Sequence, residues 1–163
     1  MEPTSSSVGL TIIAILYLSI GGMSVAGSIY LSRLIFSARA EQIFFGLFLV
    51  AIAGFYLAFT AHFGEDEAWR LEAIAVAVFS IFGVLGTRIS FFLISGYVLH
   101  GTWDMIHEYN MFIGNDQLGS LKITSVPLAY GYFCLAYDFI IAIYFYSRRE
   151  DWSGAWAEIK ASK

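Results

Sequence analysis

The sequence predicts an all-α protein, a polytopic bundle of membrane helices that forms one domain over residues 1–163. Hydrophobic residues make up 58% of the chain and charged residues only 13%, whereas soluble domains carry about 25% charged residues. The two prolines, Pro3 and Pro127, lie near the ends of apolar runs, so the helices are expected to run without a break. These observations indicate a multi-pass integral membrane protein.

Five apolar segments are long enough to cross a bilayer, which takes about 20 residues per helix. They cover approximately residues 8–35, 41–63, 68–87, 89–107 and 126–146. Pro127 fits the first turn of the last span, where its missing N–H costs nothing. Residues 110–124 form the one long loop that the sequence predicts.

Basic residues collect at one end of the predicted spans. Cytoplasmic loops of membrane proteins are enriched in Lys and Arg. If the N-terminus is outside, only Arg70 and Lys122 lie outside, together with the acidic turn 65–67. The sequence therefore predicts an N-out, C-in topology. The cytoplasmic basic residues are Arg33, Arg39, Arg88, Arg148, Arg149, Lys160 and Lys163.

The C-terminal tail, residues 152–161, carries Trp152, Trp156 and Ile159 on one helical face. This pattern is typical of a short amphipathic helix that lies on the inner membrane surface. Elsewhere, the single cysteine, Cys134, excludes an intramolecular disulfide and a multi-cysteine metal site. No basic cluster points to nucleic acid, and no internal repeat supports an inverted-repeat transporter.

Ionisable residues inside the spans need an explanation, because an Asp at a span centre costs at least ~2.5 kcal/mol. Positions i, i+4 and i+7 share a helix face, so His100, Asp104 and His107 form one polar stripe. Trp103 lies beside this stripe, and its indole N–H can donate a hydrogen bond. Asp138 is the charged residue on a face of the last span that consists of Pro127, Gly131, Cys134, Asp138 and Ala142.

The depths of these groups are compatible with a single site. The rise of about 1.5 Å per residue gives the depth of each group below the outer end of its predicted span. By this measure, the groups on the stripe lie in the outer half of the bundle. Together with His62 and Glu72, they would line a funnel that opens outward and ends near the midplane at Asp138. For His62 and Glu72 a purely structural explanation is stronger, because both lie near the headgroups, where an ionised side chain costs little free energy.

Two kinds of chemistry suit this set of side chains. Imidazole and carboxylate groups from several helices are ligands for Zn²⁺ or non-haem iron. The candidate ligands are His100, Asp104, His107 and Asp138. Alternatively, the same groups act as catalytic acids and bases. The candidate catalytic residues are His100, Asp104, Asp138 and Glu72, with Glu72 at the mouth.

An enzyme with this site would act on a membrane lipid or an isoprenoid-type molecule as a metal-dependent hydrolase or as an acid/base isomerase or cyclase. Aromatic residues would wall its substrate pocket: Trp103, Tyr97, Tyr130 and Tyr137. Two alternatives stay open, a pathway for protons or small ions and an accessory subunit of a larger membrane complex. A homo- or hetero-oligomer would use the small-residue segment 21–28.

Other cofactors fit the sequence poorly. No lysine lies within a predicted span, which excludes a retinal Schiff base. A bis-histidine haem between His62 and the stripe ranks low, because it leaves Asp104 and Asp138 unexplained. Buried His–Asp pairs can also hold helices together, but each contributes only about 0.6 kcal/mol on average. Five ionisable groups in one funnel, with His62 in addition at a span end, therefore favour a functional site.

The segments "GYVLHGTWDMIHEY" and "YGYFCLAYDFIIAIYF" resemble a group of small, uncharacterised bacterial integral-membrane proteins. These carry an HxxWDxxH-type motif on one span and a Cys-x-x-x-Asp pattern on the last. The resemblance covers residues 67–146, with two departures: Glu108 stands where the group tends to have a further His, and the loop between the spans is longer. It rests on His100, Trp103, Asp104, His107, Cys134 and Asp138, and less on Glu72.

The resemblance implies a location in the bacterial inner membrane and a polar site within that membrane, and it implies no particular reaction. More distant parallels are the zinc-dependent ceramidase-like membrane hydrolases and small integral-membrane terpene cyclases. The full motif set of neither family is present, so both are analogies at the level of the site.

Overall fold

The structure is a computed structural model that describes residues 3–64, 66–113 and 122–161, with no β-strand in these ranges. The all-α class is thereby confirmed. A short 3₁₀ turn, Asp66–Ala68, precedes α4. Glu65, most of the predicted loop and the side chains of Ile159 and Lys160 lie outside the described residues, as does Lys163. The helices are α1 (Pro3–Ile35), α2 (Ala38–Ala53), α3 (Phe55–Phe63), α4 (Trp69–Gly86), α5 (Ser90–Ile113) and α6 (Tyr130–Ala161).

The surface of the described helices is strongly apolar. Within the described ranges, three segments are long and apolar enough to cross a membrane: Ser7–Ile35, Ala38–Phe63 and Asp66–Gly86. Soluble monomers rarely expose large continuous apolar surfaces, yet every helix here exposes large apolar side chains. Examples are Ile12, Leu47, Phe55, Ile81, Phe91 and Ile143. Several histidine and carboxylate side chains are buried in the interior instead. This distribution, with an apolar exterior, indicates a membrane protein.

The helices pack around a buried apolar centre in one half of the bundle, which includes Phe45, Leu49, Leu93, Tyr97, Ile141 and Phe145. α5 lies along α6, α2 packs against α4, and α1 packs mainly against α6. Within the small-residue segment 21–28, Val25 is buried and Ser28 accepts a hydrogen bond of 3.0 Å from the Tyr137 hydroxyl. This segment therefore contacts α6 of the same chain. The sequence suggested instead that it contacts a partner protein.

α6 begins at Tyr130 rather than at residue 126, and Pro127 lies before the helix rather than in its first turn. Ala129 adopts a left-handed conformation, with φ 61°. The Glu108 carboxylate accepts hydrogen bonds from the backbone N–H groups of Ala129 (3.2 Å) and Gly131 (3.1 Å). A negative charge is favourable at a helix N-terminus, so α5 fixes the point at which α6 starts.

The predicted surface helix at the C-terminus is instead the continuation of α6, which runs without a break to Ala161. Trp152 is fully buried and packs against Phe145, with ring centroids 5.5 Å apart. Trp156 donates its Nε1–H to Gln42 Oε1 at 2.9 Å, and the Arg88 guanidinium lies 4.0 Å above the Trp156 ring. The prediction of a separate interfacial helix was wrong, because both indole N–H groups have acceptors on α2.

Glu41, near the start of α2, joins α1, α2 and α6 at this end of the bundle. Its side chain is 1% exposed. Arg148 approaches it through Nε (3.2 Å) and Nη2 (3.1 Å), and Trp152 donates to it from Nε1 (2.9 Å). The hydroxyl groups of Ser32 and Tyr144 both donate hydrogen bonds to Glu41 Oε1. We call these five residues the Glu41 cluster.

Candidate functional site

His100 and Asp104 of α5 meet Asp138 of α6 in the bundle interior. The His100 Nδ1 atom lies 2.8 Å from Asp138 Oδ2 and 3.0 Å from Asp104 Oδ2. All three side chains are at most 2% exposed. An imidazole Nδ1 carries at most one hydrogen, so two buried carboxylates compete here for one donor.

Two atoms of this cluster have no hydrogen-bond partner among the described residues. They are His100 Nε2 and Asp104 Oδ2, both shielded from solvent. A buried polar atom without a partner costs about 1–3 kcal/mol, and native proteins contain few of them. These two atoms therefore keep hydrogen-bonding or ligating capacity that the described side chains do not use.

Two glycines allow α5 and α6 to approach closely beside the cluster. A Cβ atom at Gly131 would lie 2.6 Å from Glu108 Cβ and 2.7 Å from the Asp104 carbonyl oxygen. A Cβ atom at Gly101 would lie 3.0 Å from Asp138 Cβ. The small-residue face noted in the sequence therefore packs on α5 and brings Asp138 within reach of His100.

His107 belongs to a separate pair with Glu72 of α4. Its Nδ1 donates to the Trp103 carbonyl at 2.9 Å, and its Nε2 lies 2.9 Å from Glu72 Oε1. Both ring nitrogens are thus engaged. Among the described residues, the ligand atoms that lie within 4.8 Å of one another come from His100, Asp104 and Asp138. His107, a predicted ligand, does not join them because its nitrogens already have partners.

The end of the site away from the Glu41 cluster is covered by segment 122–129. Ile123, Thr124 and Val126 are buried, and the Thr124 backbone N–H donates to Glu72 Oε1 at 2.9 Å. Glu72 itself is fully buried, so it does not stand at an open mouth as the sequence suggested. His62 is exposed on α3, away from both buried groups.

Tyr56 of α3 links the two buried groups, and sequence reasoning missed it. Its hydroxyl donates to Asp104 Oδ1, and its ring stacks on that of His107 with centroids 4.7 Å apart. The side chain is fully buried. In the run "GFYLAFT" a tyrosine is indistinguishable from the other aromatic residues, so the sequence carries no signal that could have singled it out.

A cavity of about 210 Å³ lies between α2–α3 and α6 and reaches the cluster. His100 and Asp138 form part of its wall, and Phe55, which is 51% exposed, lies at its rim. The rim therefore faces the apolar exterior of the bundle. The other lining residues are Phe48, Ile52, Tyr130, Phe133, Cys134 and Tyr137.

Two of the four predicted pocket residues, Tyr130 and Tyr137, line this cavity. Tyr97 is buried elsewhere and donates its hydroxyl to the Phe45 carbonyl at 3.0 Å. Trp103 lines a different groove, between α4 and α5. Both residues lie three positions from His100 on α5, but Tyr97 packs into the apolar centre and Trp103 is directed towards α4.

Comparison with known proteins identifies no relative: no family model, no curated protein and no solved structure matches this chain.

Proposed function

We propose that the protein is a membrane-embedded enzyme that acts on a lipid or isoprenoid-type substrate at His100, Asp104 and Asp138. The observation that carries this proposal is the apolar cavity with His100 and Asp138 in its wall. Small-molecule sites are typically apolar concavities with a few convergent polar groups. An apolar chain fits between the aromatic walls, with its reactive end against the imidazole and the carboxylate.

The geometry suits proton transfer or metal-assisted chemistry. Asp104 and Asp138 both lie at Nδ1 of His100, which orients the ring and leaves Nε2 to exchange a proton with a substrate. Glu72 is engaged by His107 and Thr124. The proposal therefore gives Glu72 a positioning role, through His107 and the covering segment, in place of the catalytic role that the sequence suggested.

A transport function receives less support. Ion pathways need polar groups or water along their length. The layer between Asp138 and the Glu41 cluster contains Leu93, Tyr97, Ile141 and Phe145, all buried and fitted into the apolar centre. A site that ends at such a layer favours an enzyme over a continuous path.

The proposed topology has five spans, with the N-terminus outside and the C-terminus in the cytoplasm. Arg88 and Arg148 lie at the end of the bundle that holds the Glu41 cluster. Segment 122–129 and the C-terminal part of α5 lie at the opposite end, where Gly131 contacts Glu108. This clustering of basic residues at one end agrees with the bias of cytoplasmic sides towards Lys and Arg.

Cysteine labelling on intact cells tests the topology. In a Cys134→Ala background, Asp66→Cys is expected to react with a membrane-impermeant maleimide added outside. Ser153→Cys is expected to react only after permeabilisation. Both positions are exposed in the structure, so a failure to react reports on the side of the membrane. The reverse pattern would contradict the N-out topology.

The substitution Asp138→Asn is expected to abolish the effect of the protein on membrane lipids while the chain still folds, since Asn keeps the shape of Asp and loses its charge. Lipid extracts of membranes that contain wild-type or variant protein are compared by mass spectrometry. At least one lipid or isoprenoid species should differ between them. The exposed variant Asp66→Asn is the control and should match wild type. Identical profiles for wild type and Asp138→Asn would refute the enzyme proposal.

A further inference from the structure

We propose that His100, Asp104 and Asp138 together bind one divalent transition-metal ion, Zn²⁺ or Fe²⁺. The inference rests on the same site as the proposed function and names the group that works there. His100 Nδ1, one oxygen of Asp104 and one oxygen of Asp138 are the ligand atoms, all within 4.8 Å of one another.

The first support is the charge of the cluster. In the state that binds a metal, with both carboxylates ionised and the imidazole neutral, the three groups carry a total charge of −2 in a site where each side chain is at most 2% exposed. Burying uncompensated charge away from water is very costly. A divalent cation between the three groups brings the total charge to zero without protonating either carboxylate.

The second support is the set of unpartnered atoms. One hydrogen on His100 Nδ1 serves only one carboxylate, and Asp104 Oδ2 has no hydrogen-bond partner although it is fully buried. A cation would engage this oxygen, the imidazole nitrogen and Asp138 at the same time. The Nδ1–Oδ2 distances are 2.8 and 3.0 Å, whereas two ligands that each lie about 2.1 Å from a tetrahedral ion are about 3.4 Å apart. The three groups would therefore move apart by only about half an ångström to hold the ion.

The surroundings fit a site for chemistry rather than a purely structural one. Tyr56 donates to Asp104 Oδ1, the kind of contact that fixes the orientation of a metal-binding carboxylate. Catalytic zinc sites have three protein ligands and an open position, and here the cavity adjoins two of the three residues. A mixed set of imidazole nitrogen and carboxylate oxygens suits Zn²⁺ or Fe²⁺. Such an ion supplies a Lewis acid to a bound substrate.

The test measures metal per chain in full-length protein purified in mild detergent. The protein is stripped with a chelator, reloaded with ZnCl₂ or, without oxygen, FeCl₂, and analysed by elemental mass spectrometry. Wild type is expected to retain one equivalent. Asp104→Asn and Asp138→Asn are each expected to lose it. Two histidine variants are controls and should each retain one equivalent of metal. His62→Ala removes an exposed histidine, and His107→Gln removes a buried histidine outside the cluster.

Two further measurements separate loss of a ligand from loss of the fold. Tyr56→Phe keeps all three ligands and is expected to weaken the affinity for Zn²⁺ about 10–100-fold. Co²⁺ loaded into wild type should give visible absorption bands of a site with nitrogen and oxygen ligands, which change in Asp104→Asn. A wild-type protein that retains none of Zn²⁺, Fe²⁺ and Co²⁺ overturns the inference. Full retention by Asp138→Asn also overturns it.

Failure of this inference is distinguishable from failure of the proposed function. A lipid profile that depends on Asp138, with wild-type protein free of metal, overturns the metal site and leaves an enzyme that works by proton transfer. One equivalent of metal that is lost in Asp138→Asn, with identical lipid profiles, supports the metal site and refutes the enzyme.

Discussion

Replacing Glu41 with Ala is expected to lower the free energy of unfolding by about 3–5 kcal/mol, the usual cost of removing one partner from a buried ion pair. Arg148 would lose its partner in α2, and the buried Trp152 N–H would lose its acceptor. Thermal unfolding in mild detergent, followed by circular dichroism, measures the effect. For a chain of this size the midpoint should fall by on the order of ten degrees.

Glu150→Ala is the matched control for this substitution. Glu150 lies on the same helix as Trp152, its side chain is 83% exposed, and it pairs with Arg149. Exposed ion pairs contribute little, so the control should unfold with wild type. Equal midpoints for Glu41→Ala and wild type would show that the Glu41 cluster does not hold the end of α6 against α2.

Replacing Gly131 with Ala is expected to destabilise the protein by about 1–3 kcal/mol, the usual cost of overpacking. The added Cβ would lie 2.6 Å from Glu108 Cβ and 2.7 Å from the Asp104 carbonyl, which are distances that real contacts do not reach. α6 must therefore move away from α5, and Asp138 moves with it. The measurement is the unfolding midpoint in detergent.

Gly27→Ala is the control for Gly131→Ala. Gly27 lies within α1, and a Cβ atom there would meet nothing within 4 Å. Alanine has the higher helix propensity, by about 1 kcal/mol in helix interiors, so this variant should be as stable as wild type or more stable. The unfolding midpoint is therefore expected to fall in Gly131→Ala and to stay the same or rise in Gly27→Ala. Equal changes would mean that the close approach of α5 and α6 contributes nothing to stability.

Helical periodicity was enough to predict the centre of the candidate site. His100 and Asp104 are four residues apart and therefore share a face of α5, and Asp138 is the charged residue on the small face of α6. Close helix packing requires small residues, so the two faces could be matched from sequence alone. The structure brings these three side chains together as that matching implied.

Periodicity could not assign the partner of each buried group. His107 lies on the same side of α5 but is rotated towards α4, where Glu72 takes its Nε2. That choice depends on which helices are neighbours, and apolar patterns do not contain this information. The start of α6 depends in the same way on Glu108, a contact made across the bundle. Pro127 is compatible with a helix that starts at residue 126 and with one that starts at Tyr130. The preference of proline for the first turn therefore predicted the wrong start of α6.

The end of the chain illustrates a different limit. Tryptophans four residues apart beside charged residues are equally compatible with a membrane surface and with a protein interior. Buried acceptors on α2, Gln42 and Glu41, decide between the two. A glutamate in the first turn of an apolar helix normally indicates solvent, so Glu41 gave no sign of its role.

For the proposed enzyme, the covering of one end of the site by segment 122–129 has a kinetic consequence. In the proposed enzyme, with Thr124 bound to Glu72 over one end of the site, the cavity beside Phe55 would admit substrate from the bilayer. The rate would then follow the mole fraction of substrate among the membrane lipids, not its concentration in water. Adding inert lipid to vesicles at a constant amount of substrate would slow turnover by surface dilution, whereas adding buffer would leave it unchanged.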